Sequence, residues 1–423
     1  MNNSTKITIA LLSSYHDYLK LEQSNNNKFK YSLYRVTTFI LKYTGKFFAF
    51  FLSQPKTKDI DILFLSTSKT NKQELSPLWQ YITKNSSYKI LVETQSKWKH
   101  ILKGLPYYNS IDSNIPANIF YLAAYSKYIT THFSAKLYCL ANHFDVIPSF
   151  IKKYINKDSK TIHIPHGMQP NHFLYTTYDF DFYFVFGDSS ITNINNMNLR
   201  LGNTEVVKTG STKIKKENTL DPITPNNKIL LFSDWWPEKY PKERAFFEII
   251  SNWIKENKKF ELYIKLHPKE KGDLIKSYFK NCNNVTILPK STSIKEALKN
   301  TYITLTSWSV ASVEAALMNR PSISVNFRQY NKHSNDYIIS DKYLLLEHFF
   351  LRRATNKDEL SDRIEEMSKN YPFYVKQCQK YADYHLSNTT NSFDKILSVI
   401  NNIYLGKKEF NTISISQNIE KIQ

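Results

Sequence analysis

The run Tyr263-Ile-Lys265-Leu-His267-Pro268 is apolar and alternating, and it ends in a histidine followed by a proline. A strand with that ending carries an imidazole to its carboxyl end. The proline, which has no amide hydrogen, stops ladder pairing and fixes the exit direction. An imidazole N–H donates to a phosphate oxygen, and Lys265, two residues earlier, shares the strand face. A second run, 302–306, opens into Ser307-Trp-Ser309-Val-Ala-Ser312-Val-Glu314. Hydroxyls therefore cluster where a helix begins, beside backbone N–H groups without helical partners, which suits an anion. A third run closes in Phe232-Ser233-Asp234, followed by two tryptophans whose rings suit a base or a sugar.

The first half of the chain offers His163-Ile-Pro-His166-Gly167, again a strand-like run ending in histidine, then a glycine that permits close approach. His166 has the chemistry of a general base because imidazole titrates near neutrality. His163 and His166, three apart on a strand, point to opposite faces, and no Cys or carboxylate completes a zinc set, so no metal is expected. Plainer roles exist for each residue. His267 could close a strand, Ser307 or Ser309 could cap a helix, and Glu314 could be an ordinary helix residue.

Several elements must position these groups. Strand-like runs at 60–65 and 88–92 flank a helical 78–83 region, and 115–142 reads as mostly helical, with Pro116 near its start. Runs 161–166, 180–186 and 205–209 read as strands, each ended directly by one of only eight glycines: Gly167, Gly187 and Gly210. The polar stretch 213–227 reads as a linker. Beyond it, strands at 228–232, 260–266, 285–288, 302–306 and 322–325 alternate with helices at 242–256, 273–279, 294–300 and 310–318, the pattern of a parallel doubly wound sheet. Segments 358–367 and 372–403 read as helical, and the tail after Gly406 is polar. The domain expectation is 1–212, a linker at 213–227, a second domain at 228–405 and a tail at 406–423.

The 423 residues carry 57 Lys plus Arg against 37 Asp plus Glu, a net charge of +20, which suits any polyanionic partner. Three scattered cysteines exclude a disulfide framework, and no apolar run is long enough to span a bilayer, so a cytoplasmic chain is expected. In segment 28–52, Lys28, Arg35, Lys42 and Lys46 fall on one helical face, with Phe39, Ile40, Phe47, Phe50 and Phe51 as apolar bulk. That face predicts peripheral contact with an anionic inner membrane. Asp59/Asp61 and Asp179/Asp181 open strands rather than close them and are expected to face solvent. Neither a P-loop nor G-x-G-x-x-G occurs, which argues against triphosphate hydrolysis and dinucleotide chemistry. A nucleic-acid partner is not expected, since there is no arginine-rich stripe.

Taken in chain order, His166-Gly167, Phe186-Gly187, Thr209-Gly210-Ser211, Lys265 to Pro268 and the S-x-x-x-x-E-A series from Ser309 to Ala315 resemble the motifs of bacterial GT-B glycosyltransferases of surface-polysaccharide synthesis. The resemblance covers residues 160–330. Its nearest patterns are the capsule group with polysialyltransferases and Kdo transferases, and the CDP-glycerol glycerophosphotransferases of teichoic acid synthesis. It implies an α/β protein of two Rossmann-like domains facing an interdomain cleft. The second domain would hold a nucleotide-activated sugar, the first an oligosaccharide or glycolipid acceptor, with no metal and no cofactor beyond the donor. On this likeness His267, Lys265, Pro268, Ser307, Ser309, Ser312, Glu314, Ser233 and Asp234, with Gly210 and Ser211 of the TGS turn, form the donor-binding set. His166 matches the base of the glycerophosphotransferases. The sialyltransferases use an N-terminal-domain acid instead, for which Glu93 and Asp145 are candidates. The implied activity is transfer of a CMP-activated sugar of sialic acid or Kdo type by direct displacement. A CDP-glycerol-type polyol-phosphate transferase, a UDP-sugar transferase or epimerase on the same fold, and a non-catalytic RNA- or lipid-binding protein are the alternatives.

Overall fold

The computed structural model describes residues 28–66, 69–94, 97–141, 146–165, 167–169, 177–197, 199, 201–214, 219–233, 236–239, 244–268, 270–307, 309–325 and 346–416. The chain divides into two compact units, one of 1–186, 190–213 and 391–423, the other of 187–189 and 214–390.

The first unit is built on strands β1 (Lys58–Ser66), β2 (Ile90–Thr94), β3 (Phe133–Leu140), β4 (Lys160–His163), β5 (Thr177–Tyr178), β6 (Phe182–Val185) and β7 (Leu201–Lys208). Their order is β7-β6-β4-β3-β1-β2, all parallel, with β5 beside β7. A terminal strand, Ile413–Ser416, runs antiparallel against β7. Alternate residues feed two cores. Leu63, Leu65, Tyr138 and Leu140 pack with helices Ala117–His132 and Ile147–Tyr154, while Ile62, Phe64, Leu137 and Cys139 pack with helices Lys69–Lys84 and Ser392–Tyr404. Burial of both faces is what makes these strands near-continuous apolar runs.

Two expectations change here. The region 115–142 is not mostly helical. The helix Ala117–His132 ends at His132 and β3 begins at Phe133 without an intervening residue. No glycine, proline or asparagine marks the junction, and the helix is buried on nearly every side, so it lacks the polar stripe that would give its period away. The chain also returns to the first unit at Asn391, whereas the sequence reading runs the second domain to 405. Helix Ser392–Tyr404 is fastened there by Tyr404 Oη donating to Asp61 at 2.6 Å, Tyr88 Oη donating to Asn401 at 2.9 Å, and a Tyr81–Asp394 hydrogen bond. The polar tail beyond it supplies the antiparallel strand.

The aspartate pairs are structural rather than solvent-facing, apart from exposed Asp59. Asp61 also accepts from the Lys89 N–H, Asp181 accepts from both N–H and Oγ1 of Thr161, and Asp179 pairs with Lys152 at 3.3 Å. Hydrogen bonds from Tyr404 and Lys89 hold the Asp61 carboxyl below its ordinary pKa.

The second unit carries β8 (Lys228–Phe232), β9 (Glu261–Lys265), β10 (Val285–Ile287), β11 (Ile303–Thr306) and β12 (Ser322–Ser324). All pair in parallel, in the order β10-β9-β8-β11-β12. Counting from β8 this is 3-2-1-4-5, so the order reverses between β8 and β11, the place where doubly wound sheets bind ligands beyond their carboxyl ends. Helices Ala245–Glu256, Asp273–Phe279, Ile294–Leu298 and Ala311–Leu317 are the crossovers, and Lys357–Lys369 and Tyr371–His385 follow.

Gly187 belongs to this unit, and a Cβ added there would lie 2.6 Å from the carbonyl carbon and oxygen of His385. Because the obstruction is backbone, Gly187→Ala should destabilise the fold by about 1–3 kcal/mol, read as a lower midpoint in chemical denaturation. An unchanged midpoint would show that the two segments part without cost.

Candidate functional site

Three neighbouring strands of the second sheet end level with one another. Lys265 of β9 pairs with Phe232 of β8, and Leu231 of β8 pairs with Leu305 of β11. His267, Ser233 and Ser307 follow within two residues of these strand ends, so one edge collects an imidazole and two hydroxyls. With adjacent strands ~4.8 Å apart, β9 and β11 are separated by roughly 10 Å, the span of a small anionic group and its ligands.

The His267 turn is held from below. Ser233, buried at the end of β8, accepts the His267 N–H at 3.1 Å and donates its hydroxyl to Glu270. Glu270 is fully buried, accepts the His267 N–H at 3.2 Å, and closes the turn by donating its own N–H to the His267 carbonyl at 2.9 Å. The backbone at His267 is thereby fixed while its imidazole remains half-exposed. Lys265, on the same strand face, donates to the Lys290 carbonyl at 3.1 Å, and burial lowers its pKa. Pro268 is exposed. Glu238 accepts from the N–H groups of Lys271 and Gly272, fixing the entry to the next helix.

At the end of β11, Ser307 and Ser309 are half-exposed. Ser309 Oγ accepts the Ala311 N–H at 3.2 Å, a capping role, and the Ser307 carbonyl accepts from Ser324 Oγ at 3.0 Å. Ser312 departs from expectation. It is fully buried, donates to the Ser309 carbonyl at 2.9 Å and lies 3.1 Å from Tyr381 Oη, so it shapes the turn instead of meeting a ligand. Glu314 lies one helical turn further on and is half-exposed.

In the first unit, the three glycine-terminated runs are adjacent, since β4, β6 and β7 are consecutive in the sheet. Gly210 has φ +90°, a conformation suited to glycine. Thr212 Oγ1 donates to the Pro165 carbonyl at 3.0 Å, tying the TGS turn to the His-Gly run. Ser211, placed in the donor set, is buried and accepts the Lys213 N–H, so it braces that turn. Glu93 lies on the edge strand β2, 2.6 Å from Lys103 and mostly buried. His166, Asp145 and Asp234 fall outside the described residues.

Sequence reading missed Glu270. Its signal was available as an acid three residues after the His-Pro histidine, the spacing of a closed turn. Among the described residues no cluster of His, Cys, Asp and Glu could hold a metal.

The two Rossmann-like units define a GT-B fold, and solved structures agree with it. Staphylococcus aureus MnaA in its UDP co-structure aligns with a TM-score of 0.54 at 14% identity, over 85% of this chain and 100% of that one. The UDP-GlcNAc 2-epimerase from Neisseria meningitidis, bound to UDP-GlcNAc, aligns at 0.50 and 12% over 82% of this chain and 100% of its own. No family model and no curated protein matches the sequence.

Proposed function

We propose that the chain is a nucleotide-sugar-dependent glycosyltransferase of bacterial surface-polysaccharide synthesis, taking a CMP-activated donor of sialic acid or Kdo type to an oligosaccharide or glycolipid acceptor. The observation that carries this reading is the level ending of β9, β8 and β11, with His267 and the Ser307–Ser309 turn at the switch point of a Rossmann-like sheet. In the proposed reaction a base takes the acceptor hydroxyl proton as that oxygen bonds to the anomeric carbon. The bond from that carbon to the phosphate oxygen breaks, and CMP leaves carrying the negative charge. His267 and the serine hydroxyls donate hydrogen bonds to the leaving phosphate. His166 is the base in this scheme. The tight pairing of Glu93 with Lys103 favours His166 over that acid.

A second reading has its own support, because the two aligned structures described above were solved with UDP or UDP-GlcNAc. It makes the chain a UDP-sugar transferase or epimerase. The two are separated by thermal denaturation with CMP, CDP, UDP and GDP. A ligand of the native state at 100 times its Kd adds about 2.7 kcal/mol. CMP should raise the midpoint most. A rise with UDP and none with CMP would overturn the CMP assignment, and conversion of UDP-GlcNAc without an acceptor would make the chain an epimerase.

A further inference from the structure

Helix Lys28–Ala49 is built inside out. Its inward stripe is Thr38, Lys42, Gly45 and Ala49, all buried and spaced at one helical period. Lys42 Nζ donates to the carbonyls of Ser113 and Ile115 at 2.7 and 2.8 Å and lies 5.0 Å from the Phe120 ring centre. Lys46 donates to Ser113 Oγ at 2.7 Å and also approaches Phe120. At Gly45 a Cβ would fall 2.3 Å from the Tyr108 ring, so the helix sits down on its smallest residues. The expected basic face is therefore turned into the protein over its described part, and burial lowers the pKa of Lys42.

The outward face is apolar. Val36, Phe39, Ile40, Tyr43, Phe47 and Phe48, and then Phe50, Phe51 and Leu52, are each 42–77% exposed. Their rings pack on one another, Phe39 on Tyr43 and Phe47 on Phe51, at 4.9 and 5.4 Å. Together they present roughly 1,000 Å² of apolar surface, about twice the largest patch of an ordinary monomer. No described helix is long and apolar enough to cross a membrane.

We propose that this face inserts into the headgroup region of an anionic lipid bilayer. Charge selects that occupant over a second copy. Besides Lys42 and Lys46, which are turned into the protein, residues 28–58 hold five Lys or Arg and no Asp or Glu, and exposed Lys56 and Lys58 follow directly on the aromatic cluster. Two chains of +20 would repel each other through such a contact, whereas anionic lipid complements it. The inference is independent of the donor assignment and would place lipid-linked acceptors within reach of the enzyme.

The test uses the full chain with vesicles of phosphatidylglycerol and phosphatidylcholine, or of phosphatidylcholine alone, in a sedimentation assay. The wild type should partition onto the anionic vesicles. The triple variant Phe39→Ser, Phe47→Ser, Phe51→Ser should lose about tenfold or more of that partitioning with an unchanged thermal midpoint, since all three side chains are exposed. The proposal is overturned if the wild type ignores anionic vesicles or if the triple variant binds them equally well. A wild-type dimer that the triple substitution dissociates, with vesicle binding unaffected, would assign the face to a second copy.

Discussion

Replacing His267 by alanine should lower kcat/KM for sugar transfer about 30-fold or more, leaving stability close to wild type. The magnitude follows from losing one donor aimed at the developing charge, ~2 kcal/mol or more of transition-state stabilisation, at ~1.4 kcal/mol per tenfold in rate. The structural argument for a clean effect is that the backbone of the turn is held through its own N–H and carbonyl. Its backbone is held by Ser233 and Glu270, both of which act on the His267 N–H, and by the Glu270 N–H on the His267 carbonyl. The side chain can be cut at Cβ without releasing those bonds. CMP release in the presence of acceptor measures the effect. Turnover at the wild-type level would remove His267 from the site.

The largest stability effect is expected at Arg320, which is 1% exposed and surrounded by carbonyls. Its Nε donates to Leu298 at 3.2 Å, and one terminal nitrogen donates to Asp221, Met318 and Asn319 at 2.9, 3.0 and 3.2 Å. The guanidinium thus joins Asp221, in the polar stretch ahead of β8, to the turn that follows helix Ala311–Leu317, and Asn319 adds a bond to the Leu220 carbonyl at 2.7 Å. Burial lowers the Arg320 pKa, the cost of keeping a cation among neutral acceptors. Arg320→Met keeps much of the volume but leaves several buried carbonyls without a donor. With buried unsatisfied groups costing about 1–3 kcal/mol each, and partial relaxation, a loss of about 3 kcal/mol is expected. Arg320→Lys should recover little of it, since a point charge cannot fork to several carbonyls. Denaturant midpoints measure both, and wild-type stability in Arg320→Met would show that water replaces the guanidinium there.

The second unit was more legible in the sequence than the first, for a physical reason. Its strands are short apolar runs separated by amphipathic helices and polar turns, so each change of period leaves a boundary. Strand 228–232 and helix 273–279 fall where the spacing predicts them. In the first unit β3 follows a helix buried nearly all round, so neither a turn residue nor a period marked the change. Return of the chain at Asn391 was equally silent, because it depends on tyrosine hydroxyls reaching Asp61, Asn401 and Asp394 across more than 300 residues. At the site, spacing placed His267, Ser233, Ser307 and Ser309 on one edge, yet could not distinguish half-exposed Ser309 from buried Ser312. The helix Lys28–Ala49 shows the same limit. Its period was evident, but which face turned outward was settled by Gly45 against Tyr108 and by the Lys42 acceptors at 113 and 115.

In the proposed reaction the carboxyl ends of β9, β8 and β11 grip the phosphate of the departing nucleotide. A crystal structure of the protein with CMP tests it most directly. A phosphate oxygen is expected within about 3.2 Å of the His267 imidazole and of a Ser307 or Ser309 donor. CMP bound elsewhere, with that edge of the second sheet untouched, would remove the edge from the donor site.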